Sequence, residues 1–256
     1  MREIFFYIVI LLSNIIQGIT GFAGTILAMP FSIKLVGMDT AVPVLNFLGL
    51  LSGIYVCAGN YKKINWVVLK RVVVIMGISL FCGIHIKSSL SGNPKLLYMI
   101  LGCIVLFVAI KGMIVSFIEK ANKQSDNPSN EQRSKHSPLQ NALLTLLLIA
   151  AGIVHGMFVC GGPLLISYMT RKLPEKASFR ATISTVWIFL NGFLLVTHIF
   201  QGLWTPGVIK SGAISIPFLL GGMFIGGKLY SKMSQEFFVT LTYILLLIAG
   251  ISLFLK

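Results

Sequence analysis

Gln17, Thr20 and Thr25 in the first half of the 256-residue chain, and His155 and Cys160 in the second, are uncharged polar side chains beside glycine clusters inside long apolar runs. The clusters read GITGFAGTILAMP from Gly18 to Pro30 and GIVHGMFVCGGPLLISY from Gly152 to Tyr168. Hydroxyl and amide donors hold an oxyanion while staying neutral, so they cost less inside a membrane than Lys or Arg. Glycines at 21, 24, 161 and 162 let the backbone approach such an anion closely. A helix starting at Gly24 or Gly162 aims its first N–H groups and positive dipole end at it. Pro163 suits a first helical turn, where its missing N–H is not needed. Asn46 and Asn191 lie deep in the apolar stretches that follow, where an amide either lines a cavity or bonds across helices.

His155 admits two readings. A single His in an apolar run is first of all a satisfied core residue. Facing a break in the helix, it could also carry a proton along with the anion, because imidazole titrates near neutral pH. The glycines likewise admit a second role, close helix packing at GxxxG spacing, as at Gly152 and Gly156 and again at Gly222 and Gly226.

These residues need elements to hold them, and composition says which. The chain is 56% hydrophobic and 11% charged, with a mean hydropathy of +0.89, too few charges to cover a soluble domain of this size. An all-α integral membrane protein is expected. The formal charge of +14 does not point to nucleic acid, because the Lys and Arg sit in short loops at segment ends, where they orient helices and meet anionic head groups. Arg2-Glu3 runs straight into an apolar span with no small-residue cleavage site, so the N-terminus is expected to stay as a membrane segment. Asp and Glu fall in loops or at span ends, which leaves no buried carboxylate for a sodium or divalent-metal site. HExxH, GxSxG and Walker-type signatures are absent from the sequence, so neither an enzyme nor a nucleotide-driven pump is expected.

Hydrophobic blocks alternate along the chain, and a polar stretch rich in Asn, Ser, Lys and Gln at 119–138 divides it into an N-terminal membrane repeat, 1–118, and a C-terminal one, 139–256. The halves match at an offset of about 140 residues: Gly24 falls opposite Gly162, Asn46 opposite Ser184, Lys70 opposite Lys210, and 90–100 opposite 233–243. The first block of each half is about 33 residues, roughly 50 Å of helix against a hydrocarbon core of about 30 Å. Two shorter segments meeting at the glycines resolve the excess. Each half then holds four to five membrane helices, the first broken at its Gly-rich motif. With five, the second half is inverted, and most of the 21 Lys and Arg collect on one face, which makes the linker cytoplasmic.

A duplicated membrane chain with GFAGTILAMP in one half and HGMFVCGGPLLISY, then FRAT and a later Asn, in the other resembles the TauE/SafE family of sulfite and organosulfonate exporters. The resemblance implies movement of sulfite, sulfoacetate or related sulfur-containing or carboxylate anions across a bacterial-type cytoplasmic membrane by a multi-pass protein; no cofactor is expected. It places the first motif on Gly18, Gly21, Phe22, Gly24 and Pro30 and the second on Gly156, Gly161, Gly162 and Pro163. Many members carry a triple glycine where this chain has Ala23-Gly24-Thr25, which bears on the choice of anion more than on the fold. The expected partners are a small anion and the lipid bilayer, with a homodimer left open. The competing expectation is a non-transporting membrane partner or assembly factor, which accounts for helices and small-residue packing but not for two matched polar breaks.

Overall fold

The computed structural model describes residues 2–90, 138–173 and 175–232, with scattered positions between 92 and 114 and between 234 and 251. Nearly all of the polar stretch at 119–138, the last hydrophobic block and the 233–243 side of the repeat match lie outside the described residues.

The regular elements are helical: α1 (Arg2–Thr20), α2 (Gly24–Val36), α3 (Met38–Asn60), a short 3-10 turn at Tyr61–Lys63, α4 (Trp66–Ser89), α5 (Pro138–Phe158), α6 (Gly162–Lys172), α7 (Lys176–Phe200) and α8 (Pro206–Lys232). Among the described residues, 5 helices are long and apolar enough to cross a membrane. Their outer faces carry large apolar side chains in the open, such as Val67, Ile78, Phe200 and Phe224, while Asn14, Gln17, Asn46, His155 and Asn191 are buried. Apolar outside and polar within is the arrangement a bilayer selects, because lipid tails solvate Val and Phe but give an amide no partner.

Helical bonding is interrupted at 21–23 and again at 159–161, and at both places the chain doubles back. A methyl placed on Gly24 would stand 2.8 Å from the Ser13 carbonyl oxygen and 2.6 Å from Cβ of Gln17, so α2 starts packed along the end of α1 instead of continuing it. Gly161 meets the Ala151 carbonyl and His155 in the same way, folding α6 along α5. The arms are uneven, at 19 and 13 residues in the first hairpin and 21 and 11 in the second. At 1.5 Å per residue, α1 reaches about 28 Å and can cross the hydrocarbon, whereas α2 and α6 reach only about 20 and 16 Å. Gly37, at φ 80°, then turns α2 into α3 within one residue.

Small residues set the helix pairs. In α1 and α8, which run parallel, Tyr7 stacks on Phe218, Gly222 lies on Leu11 and Asn14, and Gly226 lies on Ile15 and Gly18. In α4 and α5, also parallel, Met76 and Ser79 meet Gly152, and Leu80 and Gly83 meet Gly156. Helices α3 and α7 cross antiparallel through the middle, Gly49 against Asn191 and Gly53 against Ser184 and Ile188. The Asn65 N–H donates to Thr182 Oγ1 at 2.9 Å at one end of this pair. Backbones approach closely wherever a Cβ is missing, which is how helices gain dispersion energy when lipid offers no hydrophobic contrast.

Glycine at these crossings is therefore a packing requirement. Gly226→Leu drives a side chain into the Ile15 carbonyl and should cost about 2 kcal/mol or more by overpacking. Gly77, with no neighbour within 4 Å, takes alanine with a change within about 1 kcal/mol. Thermal unfolding of the two purified variants in lipid nanodiscs checks both.

Candidate functional site

At the first hairpin the backbone donors freed by the turn are taken up by α1. Thr20 Oγ1 accepts from the N–H of Phe22 at 3.1 Å and of Ala23 at 3.0 Å, and Gln17 Oε1 accepts from the N–H of Gly24 at 2.8 Å. Gln17 is locked in turn, its Nε2 donating to Ser52 Oγ of α3 at 3.1 Å. Gly21 makes the reversal at φ 80°, and its carbonyl accepts from the Trp187 indole N–H at 3.0 Å.

At the second hairpin His155 stands in the place of Gln17. Its Nδ1 accepts from the N–H of Gly161 at 3.4 Å, and its Nε2 lies 3.0 Å from Asn191 Oδ1. A neutral ring with its proton on Nε2 satisfies both contacts, donating to the amide oxygen and accepting from the backbone. The ring is 1% exposed and lies 5.1 Å, centroid to centroid, from the Trp187 ring. Val159 makes the reversal at φ 59°. For a β-branched residue this left-handed conformation costs about 1–3 kcal/mol, which the packing around it must offset.

The two hairpins face each other. A methyl on Gly162 would stand 3.3 Å from the Phe22 carbonyl oxygen and 3.6 Å from the Trp187 ring. Between them is a cavity lined by Gln17, Phe22, Thr25, Ile26, Gly49, His155, Val159, Cys160, Gly162, Trp187 and Asn191. The centre of a water can roam about 10 Å³ of it, room for roughly one water. The start of α2 and the start of α6 both border this space. Among the described residues nothing accepts from the N–H of Thr25, Ile26 or Gly162, three of the donors a helix N-terminus always leaves over. Donors of this kind, reinforced by two helix dipoles, are suited to a small oxyanion.

Of the residues singled out from sequence, Gln17, Thr25, His155, Cys160, Gly162 and Asn191 line the cavity. Thr20, Gly21, Gly24 and Gly161 form the turns behind it, and Pro163 sits in the first turn of α6. Asn46 is not in the lining: its Nδ2 donates to the Asn191 carbonyl at 3.1 Å, tying α3 to α7, and its buried Oδ1 has no partner among the described residues. Cys160 Sγ donates to the Phe158 carbonyl at 3.0 Å.

Sequence reasoning missed Trp187 and Gly49. Trp187 lies four residues before Asn191, hence on the same helix face, and a buried indole N–H must find an acceptor. Gly49 is an isolated glycine in an apolar helix, a mark of close approach, here by the Asn191 amide.

The acceptor roles of Gln17 and His155 give a direct test. Gln17→Ala and His155→Ala each strand a backbone N–H and should lower stability by about 1–3 kcal/mol, read as thermal unfolding in nanodiscs. His155→Gln, which restores an acceptor of the kind the other hairpin uses, should recover most of that loss.

Comparison with curated proteins gives no match, and neither does comparison with solved structures. A family model does match, and it spans residues 6–253, which include both hairpins, the cavity between them and all the helices that enclose it. The chain belongs to the sulfite exporter TauE/SafE family of membrane transporters.

Proposed function

We propose that the chain is a secondary carrier or facilitator of small anions such as sulfite, sulfoacetate or related sulfur-containing or carboxylate anions. The observation that carries this reading is the convergence of two helix N-termini, α2 and α6, on one cavity with backbone N–H groups left over. Binding through peptide dipoles, the Thr25 hydroxyl and the Asn191 amide needs no full charge at the centre of the protein. Neutral donors hold an anion firmly enough to enter and weakly enough to leave, which transport requires. His155 and Gln17 act here as positioning residues that fix the turns, and a protonic role for His155 is not needed to build the site.

The same arrangement supports an inverted duplication. Gln17 and His155, Gly18 and Gly156, and Gly21 and Val159 are each 138 residues apart and hold like positions in their hairpins, and Gly24 and Gly162, at the same separation, are the first helical residues of α2 and α6. The packing is unchanged when the halves are exchanged: α1 on α8 corresponds to α5 on α4, both parallel, and α3 on α7 corresponds to itself, antiparallel. A two-fold axis perpendicular to the helices has this property. The reading follows that one repeat rocks against the other around the cavity, in a bacterial-type cytoplasmic membrane with the 119–138 linker inside. A cavity with room for about one water is the contracted member of such a cycle, since an anion of several heavy atoms requires it to widen.

Flux of sulfite, sulfoacetate and simple carboxylates into vesicles holding the purified protein tests the reading. Gly162→Leu fills the space between the hairpins and should cut flux at least about tenfold, the equivalent of a single overpacking penalty. Wild-type flux in that variant would remove the site. A wild type that moves no anion and purifies with a stoichiometric membrane partner would favour an assembly role instead.

A further inference from the structure

Helix α7 carries a polar stripe that runs beyond the cavity. Arg180, Ser184, Trp187 and Asn191 follow at spacings of four, three and four, so they share one face. Trp187 and Asn191 border the cavity, and Arg180 lies about 10 Å from Trp187 along the helix. The charge pattern alone assigns Arg180 to the set of loop cations that orient helices, but the structure places it within α7, half-buried against the first hairpin. Its Nη2 donates to the Gly18 carbonyl at 2.6 Å, and its guanidinium carbon lies 4.3 Å from the centre of the Tyr230 ring. Among the described residues no carboxylate pairs with it.

Among the described residues, two donors at this place have no partner. Arg180 Nε and Ser184 Oγ are both buried without a hydrogen bond, and Ser184 is 1% exposed. Both flank the tip of the first hairpin: a methyl on Gly21 would stand 2.9 Å from Ser184 Oγ and 3.4 Å from Arg180 Cγ. An unpaired buried hydroxyl and an unpaired guanidinium N–H one turn apart are each costly, and the group that satisfies both at once is an anion with more than one oxygen. The contacts to Gly18 and Tyr230 hold the guanidinium in place, so little side-chain freedom is lost when such an anion binds.

We infer that Arg180 Nε and Ser184 Oγ form a second oxyanion site, an anteroom one helical stripe away from the central cavity, where the transported anion is captured before it passes Gly21. The inference rests on the carrier reading above. It assigns capture to a fixed positive charge and translocation to neutral donors, and so separates affinity from turnover.

Sulfite flux measured against sulfite concentration in proteoliposomes tests it with Arg180→Gln, Arg180→Lys and Ser184→Ala. Arg180→Gln should raise KM at least about tenfold with Vmax within about twofold of wild type. Arg180→Lys, which keeps the charge but lacks the Nε donor, should fall between the two. Ser184→Ala should raise KM about fivefold while leaving thermal stability unchanged, because the hydroxyl bonds nothing among the described residues; a purely structural serine would not give that split. Wild-type flux with KM unchanged in both Arg180→Gln and Ser184→Ala overturns the anteroom and leaves the carrier intact. Wild-type protein that moves no anion overturns the carrier reading and this site with it.

Discussion

A peptide N–H released from a helix inside hydrocarbon must find an acceptor, and the architecture follows from how this chain meets that demand twice. Each hairpin frees several donors at its turn, and an unmet one costs several kcal/mol where no water reaches. At the first hairpin Thr20 and Gln17 accept from Phe22, Ala23 and Gly24. At the second His155 accepts from Gly161. The acceptors are tied down in turn, Gln17 through Ser52 and His155 through Asn191, so the turns are held by helices α3 and α7 as well as by their own arms. Among the described residues the N–H groups of Thr25, Ile26 and Gly162 remain unassigned, and these three residues line the cavity. On the reading proposed above, the demand that shapes the fold also supplies the donors for the solute.

The two hairpins meet the demand with different chemistry, and the differences lie around the cavity. Glutamine answers histidine, and Gly21 answers Val159, which takes up the same left-handed turn at a cost that glycine avoids. Trp187 spans the gap between hairpins, donating to Gly21 in the first while lying beside His155 of the second. Gly49, 138 residues before Trp187, makes room for the Asn191 amide. The packing glycines also trade places: Asn14 lies on Gly222 in one helix pair, and Ser79 lies on Gly152 in the other. Under the proposed duplication, such differences keep the close approach of the backbones while making the cavity unsymmetrical.

Much of this was legible in the chain. Gln17, Thr20 and His155 stand out in the sequence as polar side chains beside the glycine clusters, suited to hold an anion or to bond between helices; their role as acceptors for the turn backbone is visible only in the structure. Excess block length required interruptions, though not their form: hydropathy cannot tell a helix that breaks and continues from one that doubles back, since both bury the same apolar side chains. Asn46 reads the same in sequence whether it lines a cavity or bridges to a carbonyl, and its surroundings settle that only in three dimensions. Arg180 was illegible for a different reason. Charge patterning treats a basic residue near a helix end as a loop cation, and only the packing of α7 on the first hairpin and on Tyr230 shows that this one is turned inward. Trp187 lies in a segment whose hydropathy gives no cue beyond the indole N–H itself.

Crystals of the full chain soaked in selenate, a heavy oxyanion, test the central claim most directly through anomalous diffraction. A selenium peak is expected between the N-termini of α2 and α6, within hydrogen-bonding reach of the Thr25 and Gly162 N–H groups, with the cavity widened around it. Helices that run unbroken through 21–23 and 159–161, or selenate found only outside a dry and closed cavity, would contradict it.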